Sequence, residues 1–437
     1  MICLVGDIVT DVTLATPKSK LKMRLGGIVH AARALWAMDV DYAVAYFAPD
    51  YMDSHIEMFL KEHNCKSIIK LGTVTNCPYT MLINEVKEIG NQGYDFLYHE
   101  DIRIAYDYNA IKSLTDFDEL MLTSGNYSMN KVLGEVDNNR RIYCDVANNI
   151  SSTSELPQSI KFDTLFVSTS SDLFKNQYSD YDSFCNLLKP YANKIVLKEN
   201  RGGSRAYDSV LAENYIIPSQ TSSIQHSVGV GDVYDVVSVT SPYDSFKDRL
   251  YFASWVAMEY AMTTFPDNFK KSVQGLLNTP IEHIMNIPGC ILPWEARQKC
   301  HIYIAAPDFD FVDTAQIDMV CNSLQYHNFV PHRPIKENGQ MPKDADKAKR
   351  MSLYSADMAL LDKCNMLIAV LLYNDPGTLI EIGLAAQRGI PSLVYDPNGI
   401  ADNCMLTELP TLVSSDMDEI ISRVFNEYSK QYGNGTL

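Results

Sequence analysis

Short apolar runs alternate along the chain with amphipathic segments of helical length. The runs read ICLVGDIV, DYAVAYFA, ELMLTSG, TLFVSTS, KIVLKEN, HIYIAAP, MLIAVLL and SLVYD. Runs of four to eight apolar residues, separated by helix-period stretches, predict parallel strands covered on both faces by helices. The fold class is therefore α/β. The pattern breaks over 266–298, where Pro266, Pro280, Pro288 and Pro293 stand with Gly275 and Gly289. Proline and glycine punctuate regular structure, so this stretch reads as a connector with one or two short helices. The expected domains are 1–265 and 299–437, and each is long enough to bury its own core.

Composition narrows the partners. Of the 437 residues, 46% are hydrophobic and 21% charged, and the net charge is -17. An acidic chain repels phosphate backbones and anionic lipid, so no nucleic-acid or membrane partner is expected. No apolar run approaches the ~20 residues of a spanning helix. The opening MICLVGDIVTD lacks the basic start and long apolar stretch of a signal peptide. The ten cysteines include no C-x-x-C pair. Reduced thiols and a cytoplasmic location follow as expectations. His327 and His332 lack a further ligand nearby, so no metal is expected there. Trp36, Trp255 and Trp294 read as packing residues.

The densest chemistry lies in 355–396. The segment from Asp357 to Asn365 reads as helix, MLIAVLL as a buried strand, Asn374–Thr378 as a turn, and Leu379–Arg388 as a helix stopped by Gly389. Ligands of an open parallel sheet bind outside the carboxyl ends of its strands. Asp375 and Glu381 fall at that edge, six residues apart. The plain alternative is helix capping, by Asp375 or by Thr378 with Glu381 as its capping-box partner.

These residues resemble the nucleoside 2-deoxyribosyltransferase superfamily, which includes the deoxynucleoside 5′-phosphate N-hydrolases. The resemblance runs over about residues 300–397. It rests on HIYIAAPDF, FVPHRPI, Asp357 with LLDKCNMLIAVL, and Asp375-x-Gly377-Thr378-x-x-Glu381-x-Gly383-x-Ala385. It implies a smaller doubly wound, Rossmann-like domain. It implies Glu381 as the nucleophile on C1′ of the sugar, as in a retaining glycosidase. An ionised carboxylate is needed for that, so a normal or only modestly shifted pKa is expected for Glu381. Asp357 is implied to protonate the leaving base, and Asp375 to hold sugar and base. Tyr303, Pro307 and Phe309 would line the pocket with Gly377 and Thr378, and no cofactor is required. Family members often complete the site with a carboxylate from a neighbouring subunit's C-terminus, which implies a homo-oligomer. The final GNGTL of this chain does not align with that feature. Basic residues over 332–350, among them Arg333 and Lys336, are candidates for a 5′-phosphate or for a solvated loop.

Three motifs mark the first domain: Gly6-Asp7 with Asp11; Arg24-Leu-Gly26-Gly27 before the helical IVHAARALWAM; and Ser227-Val-Gly229-Val-Gly231-Asp232-Val-Tyr234-Asp235. Glycines at a helix start let backbone N–H groups meet an anion, and an Asp beside them accepts a hydroxyl proton. Turns of this composition also occur without function. The trio resembles the ribokinase-like (PfkB) carbohydrate and nucleoside kinases over about residues 1–265. That implies a three-layer α/β/α fold with a β lid around Pro78–Tyr98. It implies sugar binding at Asp11, Gly26 and Gly27, an anion hole at Gly229–Gly231, and Asp232 as catalytic base. The stretch from Lys198 to Gly203 lies where the family contacts nucleotide. ATP and Mg2+ would be required if this domain is active.

The departures are specific. His226-Ser227 stands where the family has Asp-Thr, and VSTSSDLF replaces the magnesium-associated Asn-x-x-Glu. The helix after Asp232 is β-branched and meets Pro242. The sequence thus leaves open an active kinase or a degenerate ligand-binding or assembly domain. The function expected is N-glycosidic cleavage or exchange on a small nucleoside or nucleotide, fused to a possible kinase acting on the nucleoside or the released sugar. The rivals are a kinase whose second domain only binds nucleotide, and a non-catalytic nucleotide sensor.

Overall fold

The computed structural model describes residues 1–15, 20–97, 101–136, 139–147 and 149–433. The expected lid end at Tyr98 and the tail beyond Gly433 lie outside them. The chain forms two compact units, Met1–Lys87 with Gln92–Ile291, and Glu88–Asn91 with Leu292–Leu437. The stretch expected as a connector is largely helical, with Pro266–Leu277, Ile281–Met285 and Trp294–Arg297. Three of its four prolines start these helices. Pro266 lies in a first turn, while Pro280 and Pro293 stand immediately before one. A first-turn N–H has no intrahelical partner, so proline loses nothing there.

The first unit is built on a ten-stranded sheet. From edge to edge it runs Glu213–Ile217, Ser204–Asp208, Ala192–Lys198, Phe162–Ser168, Arg141–Val146, Glu119–Thr123, Ile2–Asp7, Tyr42–Ala48, Ser67–Thr75 and Arg103–Tyr106. Neighbours are parallel from Ala192–Lys198 through Ser67–Thr75, and antiparallel outside that span. All seven residues of Tyr42–Ala48 are buried, which is why its sequence runs apolar without alternation. A separate four-stranded sheet, in the order Lys22–Leu25, Thr10–Thr13, Thr80–Ile83 and Tyr94–Phe96, supplies the expected lid strands. Helix Val230–Thr240 packs against Phe246–Met262 and Val29–Ala37. It forms despite its valines and ends before Pro242, with Ser238 and Thr240 donating back to the Tyr234 and Val236 carbonyls.

The second unit holds a five-stranded, all-parallel sheet in the order Val330–His332, His301–Ala305, Met366–Val370, Ser392–Tyr395 and Leu412–Ser414. Chain order reverses between His301–Ala305 and Met366–Val370, which makes a topological switch point. Tyr303, Ala305, Leu367, Ala369, Ile382 and Ala385 share one core cluster beneath it. All ten cysteines are free thiols, and all except Cys65 and Cys404 are buried. Among the described residues, no helix is long and apolar enough to cross a membrane.

Candidate active site

At the switch point of the second unit, two strand ends lead into the turns that carry the predicted residues. His301–Ala305 runs into the loop of Pro307 and Phe309. Met366–Val370 runs through Asn374 and Asp375 into helix Pro376–Gln387. The helix begins earlier than the sequence reading placed it, because Asp375 caps it. Its Oδ2 accepts from the Thr378 amide at 2.8 Å and the Thr378 hydroxyl at 3.0 Å. A Cβ on Gly377 would lie 3.0 Å from the same oxygen, so the small residue keeps the cap open.

The capping-box alternative for Glu381 is not what forms. Its Oε1 instead accepts the phenol hydrogen of Tyr303 at 2.7 Å. Tyr303 is fully buried in the sheet, so this partner is fixed. The structure also corrects the expectation for Glu381's ionisation. Burial pushes its carboxyl up to about 7; the Tyr303 hydrogen bond opposes this, and the charges of Asp357 and Asp375 add to it. Asp357 and Asp375, the other two carboxyls named by the sequence, therefore both lie close enough to act on Glu381. Asp357 sits on helix Lys347–Leu361, and its Oδ1 accepts from Asn338 Nδ2 at 2.8 Å. That helix starts well before Asp357, on an Asp346 cap bonded to the Lys349 amide. Asn338 was not anticipated; it lies in a polar stretch with no motif to single it out.

In the first loop Pro307 is buried and Phe309 half-buried, with Phe309 stacked on the exposed Phe311 ring at 5.4 Å. Asp308 takes Arg333 in a two-pronged ion pair at 2.8 and 2.6 Å, and Asp318 takes the third guanidinium nitrogen. Arg333 is thus already neutralised twice, which weakens its candidacy for a 5′-phosphate.

In the first unit, Asp11 is almost fully buried, and its Oδ2 lies 3.1 Å from His30 Nε2 and 3.9 Å from Arg24 Nε. Gly26 is forced by this carboxyl, since a Cβ there would fall 2.2 Å from its atoms. Gly27 adopts φ +65° against the Asp7 carbonyl. His30 Nδ1 lies 2.7 Å from the Tyr260 hydroxyl. A neutral ring donating to Asp11 and accepting from Tyr260 satisfies both contacts, and burial holds the His30 pKa down at about 4.

Gly229, at φ +79°, precedes helix Val230–Thr240, and a Cβ on it would strike the His30 ring at 2.2 Å. Asp232 lies in the first helical turn. Burial and the charge of Asp145 push its carboxyl up to about 7 against the pull of Lys198. Lys198 Nζ meets Asp145 Oδ1 at 3.1 Å and also pairs with Asp235. Asp145 was missed, although an acidic residue closing an apolar strand is a readable signal for a site at the sheet's carboxyl edge. Asp145 and Asp235 are bridged by the Lys198 ammonium. Among the described residues, no group of three or more His, Cys, Asp or Glu is arranged to hold a metal ion. Two open grooves beside Lys70, of about 560 and 430 Å³, contain none of the predicted residues.

Residues 302–408 match the family model described as Nucleoside 2-deoxyribosyltransferase. No curated protein matches the chain. Among solved structures, a ribokinase from Thermotoga maritima is 15% identical; the match covers 64% of this chain and 99% of that one, with a TM-score of 0.46. The ribokinase of Arabidopsis thaliana, solved with ribose and ATP, is 12% identical, with 64% and 99% coverage and a TM-score of 0.46. The ribokinase of Giardia lamblia is 13% identical, with 63% and 98% coverage and a TM-score of 0.48.

Proposed function

We propose that the second unit breaks or exchanges the N-glycosidic bond of a (deoxy)nucleoside or its 5′-monophosphate through Glu381. The carrying observation is the 2.7 Å hydrogen bond from buried Tyr303 to Glu381 Oε1 at the switch point. One carboxylate oxygen is held in place and the other is left for C1′. Attack forms a C1′–O bond as the C1′–N bond breaks and its electron pair moves to the base. Asp357 delivers the proton to that base. A second base or water then takes C1′ and releases Glu381. A family match over 302–408, which spans all these residues, supports the reading.

The test is chromatography of purified protein with a panel of nucleosides and 5′-monophosphates, with and without a second free base, beside E381A. Free base should form with wild type and not with the variant. A new nucleoside identifies transfer, and free sugar identifies hydrolysis. No change across the panel overturns the reading.

A second activity is favoured by the Gly229–Gly231 turn at the head of the helix carrying Asp232. In this reading the first unit transfers a phosphoryl group from ATP to a sugar or nucleoside hydroxyl. Asp232 takes the hydroxyl proton, the oxygen bonds to the γ-phosphorus, and the bond to the β-phosphate oxygen breaks to release ADP. Magnesium would have to arrive with the nucleotide, as is usual where phosphates supply most of its ligands. ADP formation that disappears in D232N tests this. Homo-oligomerisation and a cytoplasmic location complete the proposal, the former checked by light scattering of the purified chain.

A further inference from the structure

Among the described residues, the Asp357 carboxyl has one hydrogen-bond partner: Asn338 Nδ2 lies 2.8 Å from its Oδ1. An ionised carboxylate only accepts, so the amide must present its nitrogen here rather than its oxygen. Asp357 also stands on the inner face of its helix. It lies four residues after Leu353 and four before Leu361 on Lys347–Leu361, and residues four apart share one helical face. Both leucines are buried, and Leu361 packs in the same core cluster as Tyr303, the partner of Glu381.

Asn338 is itself held in place. It is the last residue of the short helix Pro334–Asn338, which Gly339 ends at φ +96°. At the head of that helix, Arg333 is tied to Asp308 in the pocket loop and to Asp318. Near its end, Glu337 takes the Nδ1 hydrogen of His332 at 2.9 Å. His332 Nε2 in turn lies 2.8 Å from Nδ1 of His301, the first residue of strand His301–Ala305. Beyond Gly339, Gln340 Oε1 accepts the Asp310 amide at 3.3 Å. The segment that carries the Asn338 amide is thus anchored to the pocket loop and to the sheet.

The two oxygens of Asp357 are therefore unequal. Oδ1 must remain an acceptor to keep the amide hydrogen, so the proton of the neutral acid sits on Oδ2. We propose that Asn338 is the positioning residue of Asp357, the amide that confines the acid's proton to Oδ2 and aims that oxygen at the departing base. The inference rests on reading Asp357 as the acid of N-glycosidic cleavage, and it adds the group that orients it. As the C1′–N bond breaks, its electron pair goes to the base and the Oδ2 proton follows. Asp357 is left as a carboxylate with Oδ1 still on Asn338. The second base or water that then attacks C1′ returns a proton to Oδ2. Asn338 acts through Asp357, and no contact with substrate is assigned to it.

The experiment compares leaving groups in the full chain. One substrate is a nucleoside that wild type cleaves. The other keeps the sugar and carries a base that departs with less help from a proton: the N7-methyl form of a purine nucleoside, or the 5-fluorouracil counterpart of a uracil nucleoside. In N338A, kcat on the first should fall by about 10-fold with KM nearly unchanged, a part of what a general acid supplies. On the second, kcat should fall by less than about threefold. N338D, close in shape, turns the donor into an acceptor and should give the same split should N338A not fold. Equal losses on both substrates, or no loss on either, overturn the proposal, because a merely structural role does not distinguish leaving groups. D357N should show the same split more strongly; its absence there removes Asp357 as the acid and the inference with it. Wild type that releases no base from any nucleoside is the separate failure of the Glu381 reading, and it overturns this inference too.

Discussion

The hydroxyl of Tyr303 and the carboxylate of Glu381 lie 2.7 Å apart although 78 residues separate them in the chain. Tyr303 is held in the middle of a parallel sheet, and Glu381 lies on the second turn of a capped helix. The tyrosine is the group favouring Glu381's charge, while burial and the carboxyls of Asp357 and Asp375 oppose it. This balance leads to the first two expectations.

Y303F should lower kcat/KM for base release by about 10- to 100-fold, the usual worth of a hydrogen bond to a charged group. It should also move the acid limb of the pH profile upward, because the lost bond favoured the ionised form. An unshifted limb with full activity would remove Tyr303 from the mechanism.

E381Q should make the second unit more stable at alkaline pH. Glu381's carboxyl is raised to about 7 in the folded chain, above its ordinary value of 4.5. In that window the folded state holds the proton more tightly than the unfolded state does. Stability therefore falls as pH rises from about 4.5 to about 7, and the loss is complete above that. Melting temperatures of wild type and E381Q should be close at pH 5, with E381Q higher at pH 8 by a few degrees. Parallel curves would mean that Glu381 titrates normally.

Asp375 has a capping role that can be separated from any role toward substrate. D375A should cost about 1 kcal/mol by removing the N-cap, read as a shift in denaturant midpoint. D375S supplies a new cap oxygen and should recover most of that stability. If Asp375 also holds substrate, D375S stays poor in kcat/KM. Full recovery of activity would reduce Asp375 to a cap.

His30 and His226 should make the first unit acid-labile. Burial holds them neutral, at about 4 and about 3, below the ordinary imidazole value of 6.5. The unfolded chain therefore binds protons first as pH falls, and stability drops from about 6.5 down to about 4 through His30 and to about 3 through His226. H30N should be less stable at pH 7 by roughly 1–3 kcal/mol, since Asp11 and Tyr260 lose their shared partner. It should also show a shallower loss on acidification, measured by urea unfolding at several pH values.

D232N should leave the fold intact, because it removes a buried carboxyl whose charge burial disfavours. ADP release should fall by about 10²- to 10⁴-fold, as for loss of a general base. G229A, in contrast, should fail through structure. Its φ of +79° and its closeness to the His30 ring should cost about 1–3 kcal/mol, read as a lower melting temperature.

Much of the architecture was legible in the chain because it depends on local rules. Each apolar run quoted above became a strand, since parallel strands covered on both faces have no polar side to show. Asp375 was readable as one of two candidate caps because capping acts within one turn, although the turn read over Asn374–Thr378 put the helix start at Leu379 and the structure starts it at Pro376. The carboxylates at 357, 375 and 381 and the glycines at 26, 27, 229 and 231 stood out only through motifs that resemble known families. What the sequence could not contain was distance across the fold. That Tyr303 bonds Glu381, that Asn338 reaches Asp357 and that His30 covers Asp11 depend on strand order and register. The ionisation of Glu381 and Asp232 was decided there too, because desolvation is a property of the packed interior. Lys198 is the clearest case: in the sequence it ends an apolar strand, and in the structure it joins Asp145 to Asp235 beneath the helix of Asp232. Local chemistry chose the elements, and only their packing brought those charges close enough to set one another's state.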